Sequence, residues 1–66
     1  MTALVLSFQT VANCRAFCTW LAHCLATARL HPTSDPRCVR VVFPTQFART
    51  VRTVAQHNCA NIEMAA

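Results

Sequence analysis

The chain carries five cysteines and three histidines, the side chains that could bind a metal ion or act as nucleophiles. Three of the cysteines, Cys14, Cys18 and Cys24, lie within residues 11–25. Structural zinc is held by four such ligands, usually in closely spaced pairs. Cys14 and Cys18 are one helical turn apart and could supply two ligands, but His23 points to the opposite side of a helix and the sequence contains no C-x-x-C. We therefore predict no metal site and no cofactor.

Catalysis by a cysteine would need a nearby base and a thiol with a lowered pKa. Cys24 follows His23 directly, but the side chains of neighbouring helical residues diverge by about 100°. The chain also has no lysine, no glycine and only two acids, Asp35 and Glu63. We predict that the protein is not an enzyme and has no catalytic residues.

The cysteine spacing also admits disulfides. Cys14 and Cys18 form C-x3-C, and Cys14 and Cys24 form C-x9-C. These spacings resemble halves of the twin-cysteine helical hairpins of the mitochondrial intermembrane space, over residues 14–24 and without a second half. The resemblance implies no role for any residue. Bridges such as Cys14–Cys59 with Cys24–Cys38 remain open, and an odd number of cysteines leaves at least one thiol free unless it pairs between chains. Reduced, packed cysteines are the expectation, because the sequence shows no convincing secretory signal before them.

The residues around these cysteines predict a long amphipathic helix. Its apolar side chains share an arc of about 120°: Val11, Cys14, Phe17, Cys18, Leu21 and Leu25. Pro32 disfavours the helical conformation at the residue before it. We therefore predict a helix over about residues 3–30, with Phe8 as the alternative start and with Thr2 or Ser7 as its cap.

The second half of the chain predicts a linker, an extended segment and another helix. Residues 31–37, HPTSDPR, are rich in turn-forming residues. Residues 38–43, CVRVVF, are rich in β-branched side chains and predict a short extended segment that lacks a partner strand. A second helix is predicted over about 46–59, with Thr45 as its cap and an apolar face.

Composition points to a small helical unit. Sixty-six residues allow one domain, and a core of that size is marginal without a further support such as a partner. The absence of glycine disfavours tight β-hairpin turns. We predict an all-α fold over residues 1–66, in which two amphipathic helices are joined by a proline-containing linker as a loose helical hairpin.

Function is predicted from the apolar faces. Hydrophobic residues make up 55% of the chain and charged residues only 12%, which leaves little polar surface for a lone monomer. We therefore predict a small non-enzymatic accessory protein that docks its helices onto a larger protein partner. The predicted docking residues are the large apolar residues of the two faces: Phe17, Trp20, Leu21, Leu25, Phe47, Val51 and Val54.

Other functional interpretations remain open. The acid-free, basic N-terminal half also fits a peripheral membrane-interface peptide, with a mitochondrial location as one version. A membrane-spanning segment is not expected, because the best window contains Gln9, Asn13 and Arg15. Nucleic acid is not an expected partner, since residues 31–66 carry four arginines against two acids. An intracellular location is favoured, and a chain without a selected function is the third interpretation.

Overall fold

The computed structural model describes residues 1–64. A short 3₁₀ turn, Thr45–Phe47, precedes the second helix. In chain order the elements are β1 (Thr2–Ser7), α1 (Val11–Cys24), β2 (Arg29–Pro32), β3 (Cys38–Phe43), α2 (Ala48–His57) and β4 (Asn61–Met64).

The four strands form one antiparallel sheet in the order β2-β3-β1-β4. Each helix connects two strands that are parallel to each other and separated by a third strand. The β-α-β-β-α-β order is that of the split βαβ, or ferredoxin-like, arrangement. The prediction of an all-α helical hairpin is therefore wrong. The structure has a mixed α/β fold, in which two helices accompany a sheet of four strands.

The predicted first helix, residues 3–30, divides into β1, α1 and the start of β2. Helix α1 begins after Thr10, whose Oγ1 accepts a hydrogen bond from the backbone N–H of Asn13 at 3.1 Å. The predicted caps, Thr2 and Ser7, instead lie at the two ends of β1. The helix ends at Cys24, well before the proline that was expected to stop it.

Strand β3 lies in the middle of the sheet. The extended segment predicted at 38–43 is confirmed, but it does not lack a partner, because it pairs with β1 on one side and β2 on the other. The predicted linker, 31–37, is shortened by β2, which continues to Pro32. The remaining residues, 33–37, connect β2 and β3, and they turn the chain without any positive φ angle.

The second helical region lies where the sequence placed it, over 45–57 rather than 46–59. Thr45 does not cap it. Its hydroxyl oxygen instead accepts a hydrogen bond from the hydroxyl of Thr2 at 2.8 Å, which joins the start of this helical region to the first residue of β1.

The core fills the space between one face of the sheet and the two helices. Alternate strand residues point into it, as the two-residue period of a strand requires. Its buried members are Leu4, Leu6, Phe8, Cys14, Phe17, Leu21, Val39, Val41, Phe43, Val51 and Ala55. The ring of Phe17 is central among the aromatic residues, with its centroid 5.4 Å from that of Phe8 and 5.9 Å from that of Trp20.

The end of α2 requires a left-handed residue. Cys59 has a φ of 61°, and its backbone N–H donates to the carbonyl of Gln56 at 2.9 Å. The N–H of Ala60 donates to the carbonyl of Ala55 at 3.0 Å. These two bonds form a Schellman motif, whose left-handed position is usually glycine.

Replacing Cys59 by glycine should raise the free energy of unfolding by about 1 kcal/mol, because glycine adopts this conformation without a Cβ clash. Chemical denaturation of the reduced chain measures the change. Cys59→Ala is the matched control, since it removes the exposed thiol and retains Cβ. An equal gain in both variants would assign the effect to the thiol and contradict the backbone explanation.

Candidate functional site

An open cleft of about 550 Å³ lies between α1 and the β2–β3 hairpin. Its volume lies within the range of about 300–1,000 Å³ that ligand pockets occupy. The lining is mainly apolar, with Arg15 and Asp35 as its charged members. The residues around it are Cys14, Arg15, Cys18, Leu30, Pro32, Thr33, Asp35, Pro36, Cys38 and Val39.

The β2–β3 loop forms one wall of the cleft and is held by hydrogen bonds. The hydroxyl of Thr33 lies 3.0 Å from the carbonyl oxygen of Asp35 and 3.1 Å from that of Cys38, and can donate to either. The same hydroxyl oxygen accepts from the N–H of Asp35 at 3.2 Å. The loop is also joined to the segment before α1, because the N–H of Phe8 donates to the carbonyl of Arg37 at 2.8 Å.

Asp35 is already engaged within this loop. Its Oδ1 accepts a hydrogen bond from the backbone N–H of Arg37 at 2.9 Å and lies 3.5 Å from the Nε of the same residue. The backbone hydrogen bond is the main reason why the pKa of Asp35 lies below its ordinary value. Arg15 has no ion-pair partner among residues 1–64. The charge of Asp35 at the rim of the cleft is therefore compensated by Arg37, whereas the charge of Arg15 is not compensated.

Three of the five thiols line the cleft: Cys14, Cys18 and Cys38. Cys14 and Cys18 are one helical turn apart on α1. Burial, followed by the effect of Cys14, raises the pKa of Cys18 from 9.0 to about 11, and burial also raises the pKa of Cys14. Both thiols are therefore protonated at neutral pH, which makes them poor nucleophiles and poor metal ligands.

These raised pKa values predict a loss of stability in alkali. The unfolded chain releases the two protons near pH 9.0, whereas the folded chain retains them to higher pH, so the unfolding free energy should fall as pH rises from 9.0 towards 11. The chain has no lysine or tyrosine, whose ordinary pKa values would fall in the same range. Denaturant unfolding at a series of pH values measures the slope.

Cys18→Val should flatten this slope, because it removes the thiol with the raised pKa and retains an apolar side chain. Cys24→Val is the matched control, since Cys24 is exposed at the end of the same helix. An unchanged slope in Cys18→Val would show that the thiols of the cleft do not cause the alkaline loss.

The seven predicted docking residues divide into two groups. Phe17, Leu21 and Val51 are fully buried against the chain's own sheet. The other four are half-buried and pack at the edge of the core: Trp20, Leu25, Phe47 and Val54. None of the seven lines the cleft. The apolar faces of the helices therefore form part of the protein's own core. Of the seven residues, only the four half-buried ones keep surface that a partner could contact.

The remaining candidate ligands do not converge. All five cysteines are free thiols: Cys14 is buried, Cys18 and Cys38 are half-buried, and Cys24 and Cys59 are exposed. His23 and His57 are exposed on separate helices. Over residues 1–64, no group of three or more histidine, cysteine or acidic side chains is arranged to hold a metal ion.

Sequence reasoning found one wall of the cleft and missed the other. The four-residue spacing of Cys14 and Cys18 correctly places both on one side of α1. Leu30, Asp35 and Val39 come from the β2–β3 hairpin, which the sequence was not expected to form. Two prolines flanking the serine and aspartate of the loop were the available signal for that turn.

Comparison of the chain with known proteins identifies no relative. Neither helix in the described part of the chain has the length and apolarity that crossing a membrane requires. No protein-family model, curated protein or solved structure matches the chain.

Proposed function

We propose that this chain is a small non-enzymatic accessory protein, and that its cleft binds a segment of a larger protein. The occupant we propose is an apolar side chain with an acidic residue beside it. The observation that carries the proposal is an open cleft of about 550 Å³ that combines an apolar lining with the uncompensated charge of Arg15. Apolar pockets with a few polar groups are the usual form of binding sites.

Charge supports an acidic rather than a basic partner. The chain carries six arginines against two acids. Among residues 1–64 the one ion pair is between Arg37 and Asp35, so Asp35 is not available to attract a basic segment. A carboxylate beside Arg15 would gain a charge-assisted, bidentate interaction.

The state of the thiols supports binding rather than chemistry. Cys14 and Cys18 have raised pKa values, whereas a nucleophilic cysteine needs a lowered one. No histidine lines the cleft to act as a base. Protonated thiols behave as small apolar groups, which suits an apolar side chain of the partner.

A displayed library of random 12-residue peptides, panned against the reduced full-length chain, tests this proposal. We expect enriched peptides to place an aspartate or glutamate next to a large apolar residue. Their affinities are then measured by fluorescence anisotropy. Arg15→Glu should weaken binding by about tenfold or more, because it replaces attraction by repulsion at the rim. Cys18→Phe should also weaken it by filling the cleft, in a variant whose fold is checked by circular dichroism.

The matched control is Arg49→Glu, an equal charge reversal at an exposed position of α2 that does not line the cleft. Equal weakening by Arg49→Glu would indicate unspecific charge attraction and overturn the proposal. Failure to enrich any peptide, or enriched peptides that bind Arg15→Glu as well as the parent, would do the same. Co-sedimentation with anionic vesicles that survives both cleft variants would favour the membrane-interface interpretation instead.

A further inference from the structure

The second face of the sheet is not covered by the helices. In β3, Val39, Val41 and Phe43 are buried beneath the helices, so the alternate residues Arg40 and Val42 lie on the other face. The strand registers place their neighbours beside them. One row across this uncovered face runs His31, Arg40, Val5 and Glu63, and the adjacent row runs Arg29, Val42 and Ala3.

The charges of this uncovered face are separated between its two edges. Arg29 and Arg40 lie on β2 and β3, and Glu63 lies on the opposite edge strand, β4. All three are exposed, and none has an ion-pair partner among residues 1–64. Between them lie the half-buried apolar residues Ala3, Val5 and Val42. One surface therefore has a basic edge, an apolar middle and an acidic edge.

We propose that the uncovered face binds a second copy of this chain. A two-fold axis parallel to the strands, between β3 and β1, exchanges the two edges of the sheet. In this orientation, Glu63 of the second copy lies opposite His31 of the first copy and within reach of its Arg40. Val5 of the second copy lies opposite Arg40 of the first. Since a two-fold interface uses the same patch twice, both copies gain this pairing.

Sheet-on-sheet packing of this kind has ordinary dimensions. Strands lie about 4.8 Å apart and packed sheets about 10 Å apart, so the long side chain of Arg40 spans the offset of one strand. The apolar middle of the uncovered face is small, because Ala3, Val5 and Val42 are the residues that form it. The dimer is therefore weak, and the charge pairs determine its orientation more than its affinity.

A nucleic acid is a poorer occupant of the same face. Proteins that bind RNA on an open four-stranded sheet stack bases on aromatic side chains. The registers place no phenylalanine, tyrosine or tryptophan on this face, and His31 on the edge strand β2 is the one ring among these residues that could stack on a base. Glu63 would also repel phosphates. A second copy, by contrast, offers an acidic partner to Arg40 and a basic partner to Glu63.

Sedimentation velocity of the reduced full-length chain, over a concentration series into the millimolar range, tests the inference. Reductant is needed because the exposed thiols of Cys24 and Cys59 could otherwise cross-link copies. We expect a monomer–dimer equilibrium in the wild-type chain. Glu63→Arg and Arg40→Glu should each weaken dimerisation by about tenfold or more, because each brings like charges within reach of one another across the interface.

Mixing these two variants is the decisive measurement. In the mixed pair, Arg40 of one copy meets Glu63 of the other, and the two substituted side chains meet each other with opposite charges. The mixture should therefore dimerise about as strongly as the wild-type chain, although neither variant does so alone. This recovery cannot arise from misfolding of either variant.

Arg52→Glu is the matched control, because it reverses an exposed charge on α2 and should leave dimerisation unchanged. Arg15→Glu, which tests the cleft, should also leave it unchanged, so failure of the dimer and failure of the proposed function are distinguishable. A wild-type chain that stays monomeric throughout the series overturns the inference. So does a mixture that associates no better than its two components.

Discussion

Replacing Phe17 by alanine should lower the free energy of unfolding by about 3–5 kcal/mol, the usual cost of truncating a buried aromatic residue. Phe17 is fully buried and contacts two aromatic rings, those of Phe8 and Trp20. A domain of 66 residues has a total stability of about 3–10 kcal/mol. The variant should therefore be largely or wholly unfolded in buffer, as measured by circular dichroism and denaturant titration of the isolated chain.

Thr19→Ala on the same helix is the control, because Thr19 is exposed and its truncation should change stability by less than about 0.5 kcal/mol. Trp20→Ala should lie between the two, since Trp20 is only half-buried. If Phe17→Ala left the isolated chain as stable as Thr19→Ala did, the apolar face of α1 would not be covered by the chain's own sheet.

A carboxylate at Val41 should destabilise the chain by about 3–5 kcal/mol or more, because it would be a buried charge without a partner. Val41 is fully buried on the face of β3 that meets the helices. Val41→Asp should therefore show no cooperative unfolding transition at neutral pH. Thermal and denaturant unfolding measure this directly.

The next residue supplies a matched control with the same substitution. Val42 is half-buried on the opposite face, and its direct cross-strand neighbour is Arg29. Val42→Asp should remain folded, because the carboxylate stays near solvent and gains a cross-strand pair of opposite charge. Equal damage from both substitutions would contradict the two-residue alternation that defines β3 as a strand with one buried face.

The two proposals assign different modes of binding to different surfaces of the molecule. The cleft beside α1 is proposed to take up a side chain of a partner, whereas the uncovered face of the sheet is proposed to bind a second copy of the chain. Because Arg15 and Arg40 act on different surfaces, charge reversal at each gives an independent readout. A dimer of this kind would present two clefts and so strengthen binding to a partner that carries two acidic segments.

Some features were predictable because their signals are local. The β-branched side chains of residues 38–43 predicted an extended segment, and β3 occupies those residues. The spacing of Phe47, Val51 and Val54 predicted the second helix. In α1, the same period placed Cys14, Phe17 and Leu21 on one face, and all three are buried.

Other features were missed because their signals are ambiguous over short lengths. Leu4 and Leu6 alternate with Ala3 and Val5, so residues 3–6 form a continuous apolar run that fits a helix as well as a strand. Residues 29–32 are too short and too polar to predict as a strand. The absence of glycine also argued against a hairpin, yet a five-residue loop held by Thr33 and Asp35 turns the chain without it.

By itself, the sequence determined the apolar face in the middle of α1, the location of the second helix and which residues could extend as β3. Only the tertiary structure decided that β1 and β2 flank β3, that the apolar helix faces are covered from within, and that the thiols of α1 face a cleft. The physical reason is that helical periodicity arises from neighbours three or four residues apart. Strand pairing instead joins residues such as Thr2 and Phe43, whose contact no local pattern records.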